Sequence, residues 1–480
     1  MRWQTQTRWL IVALLVIVAA TVIVGRQLFV QPIVGMADNG DFERLMEFGR
    51  CTHLNVPTGT RYFSHIHRVF YCEENEARIE YYSSQMILIR LAVKLAAVIW
   101  HRTYFDLRAL SLLQLPILLS AISVTLMALA RRPLFDSFVV GGLFLLIFCD
   151  VGYVAYFNSF YSEPGSFLWL LVTVALSLYL VLQEPRGAIR WLLLFALLLA
   201  MSLFVTAKAQ NVLLGVPLAL YLWRLGAAGD AHQRRRWLAA MVMPLLLLTL
   251  CVVYFQGGRK EEVKRVNLYH HVFGELLPSS SDPESDLRAL ELPTPYAQLS
   301  GTNWFTPGIP KDDPAFVQTF YSKVSNGKIL KFYLLRPARL WGLFARNAAR
   351  AFDLRPYLGN FEPSAGHPPL TLSHRYERWS AWKNSLPSKS WLLLFVFSFH
   401  LGVILYKYGW EDRTLSQRLV TELHAVLVLS GAAAYATILL GEGRGEVVRY
   451  MLIVNTFHDL ALLFLVVYGL AKVRQLIARM

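Results

Sequence analysis

Residues 9–30 read WLIVALLVIVAATVIVGRQLFV, and residues 35–43 read GMADNGDFE. The first stretch is apolar and reaches the roughly 20 residues that a helix needs to cross a bilayer. It is too long for the core of a signal peptide and lacks a small-residue cleavage site, so we expect it to remain as a signal anchor. Arg2 and Arg8 predict that its amino end lies in the cytoplasm. The acidic second stretch would then lie at the outer rim of the membrane.

The composition predicts a membrane protein. Of the 480 residues, 55% are hydrophobic and 16% are charged, whereas about 25% of residues are charged in soluble domains. The formal net charge is +15, and Lys and Arg cluster in short links between apolar runs, as at Arg131-Arg132 and at 234–236. Because this is the positive-inside pattern of membrane topology, it does not indicate a nucleic-acid partner. We predict an all-α polytopic membrane protein that contacts membrane lipids.

Hydropathy and loop charge together predict about ten transmembrane helices, with both termini in the cytoplasm. Residues 1–256 form a transmembrane module that includes the first external loop at 31–106. Residues 257–390 form a mixed external, periplasmic region, and residues 391–480 hold the last transmembrane helices. The expected spans are 9–30, 107–130, 136–156, 164–183, 191–207, 210–225, 237–256, 391–408, 417–441 and 447–471.

Residues 84–100 are apolar but carry Arg90 and Lys94. Two residues that are four apart share one face of a helix, so both cations would face the same side. We interpret this segment as an amphipathic helix that lies in the membrane interface and does not span it. This interpretation also keeps Arg131 and Arg132 on the cytoplasmic side.

The cysteines provide a test of compartment. Cys51 and Cys72 both lie in the first external loop, where an oxidising environment would join them in a disulfide. The alternative is a pair of reduced, buried cysteines. Cys149 and Cys251 lie in apolar runs and are interpreted as packing residues.

Three polar stretches are predicted to lie on the same outer side. They are Asp38 to Asp41, residues 156–164 with the sequence YFNSFYSEP, and residues 441–449 with the sequence GEGRGEVVR. The last is followed by Asn455, His458 and Asp459 inside the final span. Ionisable residues are costly within a membrane, so each stretch is a candidate functional site.

Asp41 and Asp38 are the candidate general bases. Desolvation at the boundary between water and membrane can raise the pKa of a carboxyl group, which suits it to proton abstraction. The alternative is structural, because Asp41 could cap a helix over residues 42–48 and Asn-Gly-Asp is common in turns.

Glu163, Asn158 and Tyr161 form the second candidate group. They could orient a sugar hydroxyl or a divalent ion. Glu163 also has a structural interpretation, since a carboxylate at the start of a helix is favoured by the helix dipole.

Arg444, Arg449 and Lys208 are external cations that depart from the positive-inside pattern. The guanidinium fork of arginine suits phosphate oxygens, and ion pairing of Arg444 or Arg449 with Glu442 or Glu446 is the alternative. The histidines in external loops, at 65, 67, 270 and 271, lack matched metal ligands nearby and are interpreted as ordinary loop residues. No glycine-rich nucleotide-binding loop is present.

The order of these motifs resembles the GT-C glycosyltransferases, and more closely the bacterial hexose transferases of the WsfD type that act in glycan biosynthesis. The resemblance spans most of the chain, and its most specific part is the FNSFYSEP turn at 157–164. The other segments that carry it are Asn39-Gly40-Asp41-Phe42, Phe105-Asp106-Leu107-Arg108, residues 269–301, and Arg449 through Asn455 to Asp459.

The resemblance implies an inverting transfer of a hexose from a polyprenyl-phosphate-linked donor to a glycan acceptor, which can itself be lipid-linked. The reaction would take place on the outer face of the bacterial cytoplasmic (inner) membrane. It implies that Asp41 deprotonates the acceptor, that Glu163 belongs to a second acidic motif, and that Arg444, Arg449 or Lys208 holds the donor phosphate. GT-C enzymes often use a divalent cation such as Mg or Mn, but this chain lacks a clear Asp-x-Asp in its second external loop.

Two other functions fit parts of the sequence. A transporter or flippase of lipid-linked glycans could use the same acids and arginines to bind a headgroup. The absence of internal repeats counts against it. A non-enzymatic assembly factor could bind glycans through the tryptophan-rich external region around Trp304 and Trp379.

Overall fold

The first apolar run forms one unbroken helix, and a set of short elements follows it. The structure is a computed structural model that describes residues 2–54, 56–72, 81–100, 104–228, 234–257, 261–386, 390–442 and 447–480. The elements up to residue 106 are α1 (Arg2–Leu28), α2 (Glu43–Gly49), β1 (Cys51–His53), α3 (Thr58–Arg61), β2 (Val69–Cys72), α4 (Gln85–Trp100) and β3 (Tyr104–Asp106).

The three strands form an antiparallel sheet in the order β1-β2-β3. Cys51 pairs with Cys72 in the register and the two form a disulfide, which ties β1 to β2. Phe70 and Phe105, opposite each other on β2 and β3, are buried. The all-α prediction is therefore wrong for the first external loop. Strands of three or four residues are too short to show the alternating pattern by which strands are recognised.

The next segment contains the central helices of the bundle. It comprises α5 (Arg108–Ala128), α6 (Leu134–Phe148), α7 (Val151–Val154), α8 (Glu163–Gln183), α9 (Gly187–Val205), α10 (Gly215–Ala227) and α11 (Arg234–Gly257). A 3₁₀ turn over Ala155–Phe157 continues α7, and another over Ala209–Leu214 precedes α10.

The predicted external region is built from short helices. These are α12 (Glu261–Tyr269), which continues as a π-helix over His270–Leu276, α13 (Pro283–Ala289), α14 (Pro314–Lys323), α15 (Asn326–Leu334), α16 (Pro337–Asn347) and α17 (Trp379–Asn384). Short 3₁₀ turns cover Thr294–Leu299, Ala349–Ala351 and Pro363–Ala365. Of the described part of the chain, only the first external loop contains strands.

Long helices close the chain. They are α18 (Ser390–Tyr406), which continues as a π-helix over Lys407–Glu411, α19 (Leu415–Glu442), α20 (Val447–Tyr450) and α21 (Leu452–Ile477). Helices α20 and α21 together form one apolar segment, Val447–Ile477, that is long enough to cross a membrane.

Seven segments of the described chain are long and apolar enough to cross a membrane, or eight if the bent pair of α6 with Val151–Phe157 forms one span. They correspond to eight of the ten predicted spans. The predicted spans at 210–225 and 237–256 fall on α10, which has 13 residues, and on α11, whose apolar part is Ala240–Phe255. Both are shorter than the usual spanning length, so the count of about ten stays a prediction.

Helix α4 covers the segment expected to lie in the interface, and it is not among the candidate spans of the described chain. Arg90 and Lys94 are both exposed, as expected for one polar helix face. The location of α4 at a membrane surface stays a prediction.

The long helices gather four loop ends at one end of the bundle. Helix α8 packs against α5 and α9, and α21 packs against α19, α8 and α6. Glu163 begins α8, Arg449 lies in α20 just before α21, and Lys208 lies between α9 and α10. Asp41 lies two residues before α2. Residues distant in sequence therefore meet at what we call the Asp41 end of the bundle.

Candidate functional site

The acidic stretch folds as a turn that is closed by its own side chains. The Asp38 carboxylate accepts hydrogen bonds from the backbone N–H groups of Gly40, at 2.7 Å, and Phe42, at 3.2 Å. The Asn39 side-chain oxygen accepts from the N–H of Asp41 at 3.1 Å. Gly40 has φ +101°, a conformation that glycine adopts without strain. The turn leaves the Asp41 carboxylate to interact elsewhere.

The two aspartates have different roles in the structure. Asp38 is buried and its second oxygen lies 3.3 Å from Nε2 of His53, so it lies inside the loop that it stabilises. Helix α2 begins at Glu43, and no side chain caps its first turn. The alternative that Asp41 caps this helix is therefore wrong, because Asp38 supplies the local hydrogen bonds.

Asp41 takes part in an ion-pair network that joins four loop ends. Arg449 donates one guanidinium nitrogen to Oδ2 of Asp41 and the other, at 3.2 Å, to Oε1 of Glu163. Lys208 Nζ lies 2.7 Å from the same Glu163 oxygen. Arg44 Nη2 lies 2.9 Å from Oδ1 of Asp41. We call these five residues the ion-pair network.

Aromatic rings surround the cations of this network. The Arg449 guanidinium lies 4.6 Å from the centre of the Tyr161 ring and 4.7 Å from that of Tyr450. The Lys208 ammonium lies 3.8 Å from the Tyr450 ring centre, and Arg449 also donates to the Tyr450 hydroxyl at 3.1 Å. Cation–π contacts of this kind favour the charged form of both cations.

The polar groups of Asn158 and Tyr161 make hydrogen bonds that hold the loops in place. The Asn158 amide donates to the carbonyls of Leu28, at 3.1 Å, and Val34, at 2.8 Å, and accepts from Ser111 at 2.7 Å. The Tyr161 hydroxyl lies 2.8 Å from the Ala37 carbonyl. The Tyr161 bond joins the FNSFYSEP turn to the acidic stretch, and the Asn158 bonds join it to the end of α1, to the segment before the acidic stretch and to α5. Neither residue was predicted in this role.

Burial and charge act on Asp41 in opposite directions. Burial alone would raise the pKa of the Asp41 carboxyl, but Arg449 and Arg44 outweigh it, so the pKa lies below its ordinary value. The prediction of a raised pKa is therefore wrong: the place of Asp41 after the first span indicated desolvation, but the sequence did not reveal the two guanidinium groups beside it. The carboxylate is ionised at neutral pH.

Arg444 lies outside the described residues, as does Glu446. Within the described residues, buried Arg449 pairs with Asp41 and Glu163, which come from other loops. The third polar stretch, at 441–449, therefore contributes Arg449 to the network.

The described residues contain no group of three or more His, Cys, Asp or Glu side chains arranged to hold a metal ion. Of the loop histidines, His271 is buried, which lowers its pKa to about 4, and His270 accepts a hydrogen bond from the Trp304 N–H at 2.9 Å. Whether the protein depends on Mg or Mn stays a prediction.

A second buried network lies beside the first and was only half predicted. Lys383, on α17, donates to Oδ1 of Asp459 at 2.8 Å and to the side-chain oxygen of Asn455. The other Asp459 oxygen accepts from Tyr153, at 2.6 Å, and from the Trp379 indole, at 2.8 Å. Asn455 and Asp459 stood out in the sequence, whereas Lys383 has no distinguishing pattern. The network fastens α17 to the last span.

Arg44 and Tyr450 also contact the network, and neither was predicted from the sequence. Arg44 follows Asp41 by three residues and Tyr450 follows Arg449 directly, so proximity in sequence was the available signal. The void beside the network, lined in part by Glu163, Lys208 and Tyr450, has a volume of about 10 Å³, which is the space of about one water molecule. A larger ligand would need these side chains to move.

The model of a family described as the YfdI N-terminal transmembrane domain matches residues 2–479. No curated protein matches the chain. Among solved structures, the archaeal oligosaccharyltransferase AglB from Archaeoglobus fulgidus, in complex with an inhibitory peptide and a dolichol-phosphate, has a TM-score of 0.41 at 12% identity. The alignment covers 98% of this chain and 52% of that one.

The oligosaccharyltransferase of the same organism in its complex with Zn and sulfate has a TM-score of 0.40 at 13% identity, over 96% of this chain and 51% of that one. The chain thus spans about half the length of these structures. A likeness at this level supports no conclusion about fold or activity.

Proposed function

This chain belongs to the YfdI N-terminal transmembrane domain family, and we propose that it is a membrane glycosyltransferase with a GT-C-like fold. In this proposal it moves a hexose from a polyprenyl-phosphate-linked donor to a glycan acceptor, with inversion at the sugar carbon. The reaction takes place on the outer face of a bacterial cytoplasmic membrane, with both chain termini in the cytoplasm.

The observation that carries the proposal is the ion pair between Asp41 and Arg449. Lys208 lies next to this pair, because Glu163 binds both Arg449 and Lys208. An acceptor for a proton and a cluster of cations for a phosphate lie side by side, at the end of several candidate spans. A donor with a long lipid tail and a phosphate headgroup reaches its protein from within the membrane. Its phosphate would therefore arrive at such an end.

The reaction balances with these groups. The acceptor hydroxyl attacks the anomeric carbon, the bond from that carbon to the phosphate oxygen breaks, and polyprenyl phosphate leaves with the bonding electrons. The hydroxyl proton passes to the Asp41 carboxylate, which is ionised and can accept it. Arg449 and Lys208 stabilise the charge that develops on the leaving phosphate. Attack from the face opposite the phosphate inverts the sugar carbon.

Glu163 acts as a positioning residue in this proposal. Its Oε1 atom accepts from both Arg449 and Lys208, so it holds the two cations side by side. Two cations at this distance repel each other, and a carboxylate between them lowers that cost. The space beside the network is small, so donor binding displaces side chains of the network.

The test is Asp41→Asn in purified protein reconstituted with a polyprenyl-phosphate-linked hexose and a glycan acceptor. Loss of a general base reduces turnover by about 10²- to 10⁴-fold, while the substitution keeps the shape of the side chain. We expect donor binding to be retained. The matched control is Asp312→Asn, the same change at an exposed residue of the external region, which should leave transfer unchanged.

Normal transfer by Asp41→Asn would remove Asp41 from the reaction. If the wild-type protein binds the donor and moves it from one leaflet of the vesicle bilayer to the other without transferring sugar, the chain is instead a transporter or flippase of lipid-linked glycans. The stereochemistry of the product, measured by NMR, tests inversion separately.

A further inference from the structure

A cavity of about 430 Å³ lies between the long helices at the end of the bundle opposite the Asp41 end. Helix α8 connects the two ends, because Glu163 begins it and Leu182, near its last turn, lines the cavity. At a rise of about 1.5 Å per residue these two residues are about 28 Å apart along the helix. The cavity is therefore remote from the ion-pair network, and what it binds does not depend on the function proposed above.

Apolar side chains line one part of the cavity. They include Phe144 of α6, Leu178 of α8, and Leu463, Phe464 and Val467 of α21. All five lie in candidate membrane-spanning segments. An apolar cavity between spans, open at one end, suits a hydrocarbon chain because burying the chain removes apolar surface from water.

Cations lie at the mouth of the cavity. Lys472 already pairs with Glu411, which also accepts a hydrogen bond from Tyr468 at 3.0 Å. Arg132 and Lys407 also line the cavity; among the described residues neither has a carboxylate oxygen within 4 Å, and the Lys407 ammonium lies 5.1 Å from the centre of the Tyr468 ring. They are available to an anion that enters beside the apolar walls.

Asp412 supplies an independent sign of a ligand. It lines the same cavity, is only 5% exposed, and its Oδ2 atom has no hydrogen-bond partner among the described residues. Buried carboxylate oxygens are almost always hydrogen-bonded, since leaving one without a donor is costly. The cavity thus presents two available cations and one available acceptor to the same occupant.

We propose that this cavity binds one aminophospholipid, a lipid whose headgroup carries both a phosphate and a primary ammonium group. The phosphate lies against Arg132 and Lys407, the ammonium donates to Oδ2 of Asp412, and an acyl chain fills the apolar part. By the predicted topology the lipid comes from the cytoplasmic leaflet. Phosphatidylglycerol offers Asp412 only a neutral hydroxyl donor in place of the ammonium, and its headgroup carries a net negative charge beside that carboxylate. The quaternary ammonium of phosphatidylcholine has no hydrogen to donate.

The experiment measures lipid retention by the full-length protein, purified in detergent and offered phosphatidylethanolamine, phosphatidylcholine and phosphatidylglycerol in separate titrations read by native mass spectrometry. We expect phosphatidylethanolamine to bind about tenfold more tightly than either of the others, as for one charge-assisted hydrogen bond. Equal retention of the three lipids by the wild-type protein would overturn the proposal without any variant.

Two variants locate the site. Asp412→Asn should abolish the preference for phosphatidylethanolamine over phosphatidylcholine, and Lys407→Gln should weaken phosphatidylethanolamine and phosphatidylglycerol alike by about tenfold. Arg479→Gln is the control, because it removes a cation from an exposed position near the same end that does not line the cavity. Retention of the preference by Asp412→Asn, or an equal loss in Arg479→Gln, would refute the assignment.

Discussion

Substitution of Arg449 tests whether one side chain serves both the Asp41 carboxylate and the donor phosphate. Arg449 is 2% exposed at its side chain and reaches Asp41 with one nitrogen and Glu163 with the other. Arg449→Lys keeps the charge, but a single ammonium group does not reproduce the fork that holds two carboxylates. Arg449→Gln removes the charge as well.

The expected loss follows from one charge-assisted contact with the donor phosphate. Such a hydrogen bond contributes about 1.5–3 kcal/mol, which corresponds to a change of about 10- to 150-fold in affinity. We expect Arg449→Gln to raise the KM for the donor by this factor, and Arg449→Lys to raise it less. The KM for the acceptor should change little, because the acceptor meets Asp41.

The pH profile gives a second readout of the same change. The pKa of Asp41 lies below its ordinary value of 3.8, since Arg449 and Arg44 outweigh burial. A carboxyl group whose pKa is lowered on folding stabilises the protein fully at any pH above its pKa in the unfolded chain. This stabilisation, and the negative charge of the carboxylate, are lost only as the pH falls through its pKa in the folded protein. The wild-type kcat/KM should therefore show no loss from Asp41 between about pH 5 and pH 8. In Arg449→Gln one of the two guanidinium groups that oppose the effect of burial is gone, so the pKa of Asp41 rises. The acid limb of the kcat/KM profile then moves to higher pH.

The assay is transfer by reconstituted protein from about pH 4.5 to pH 8, with donor and acceptor varied in turn. Arg288→Gln is the control, since Arg288 pairs with Glu284 on an exposed helix face and both side chains are more than half exposed. A donor KM and a pH profile in Arg449→Gln that match the wild type would refute both the phosphate contact and the influence of Arg449 on Asp41.

Two further predictions concern stability. The disulfide between Cys51 and Cys72 closes a loop with a sequence separation of 21, so replacing both by Ser should destabilise the purified protein by about 3 kcal/mol. Chemical unfolding of the variant and of the reduced wild type checks this, and an unchanged midpoint in both would contradict it. Lys383→Met leaves Asp459 buried without its cation and should cost about 3–5 kcal/mol. Thermal unfolding should show the double variant with Asp459→Asn to be more stable than Lys383→Met alone.

Much of the helical architecture could be predicted because a membrane span has a strong one-dimensional signal. Long apolar runs and the charges that flank them located the seven candidate spans of the described chain, and the bent helix pair that counts as an eighth, to within a few residues. The signal fails for short elements. The strands at 51–53, 69–72 and 104–106 are held by pairing with distant segments and by a disulfide, and neither can be recognised in a window of sequence.

The composition of the site was predictable for a related reason. Asp41, Glu163, Lys208 and Arg449 each lie at the end of a span, and alternating spans bring those ends to one side. Their pairing was not predictable, because the topology shows only that these residues lie on the same side of the membrane and not which acid contacts which cation. The sign of the Asp41 pKa shift depended on that pairing.

The pairing also bears on how Asp41 can act as a base despite its lowered pKa. The network has three cations and two carboxylates, so it carries one net positive charge. A phosphodiester donor carries one negative charge and would neutralise it. In the proposed reaction the leaving phosphate gains a second negative charge while Asp41 takes up a proton and loses its own. The sum of charges at the site is therefore the same before and after transfer. Because an added negative charge nearby raises the pKa of a carboxyl, the departing phosphate itself strengthens Asp41 as a proton acceptor when the proton arrives.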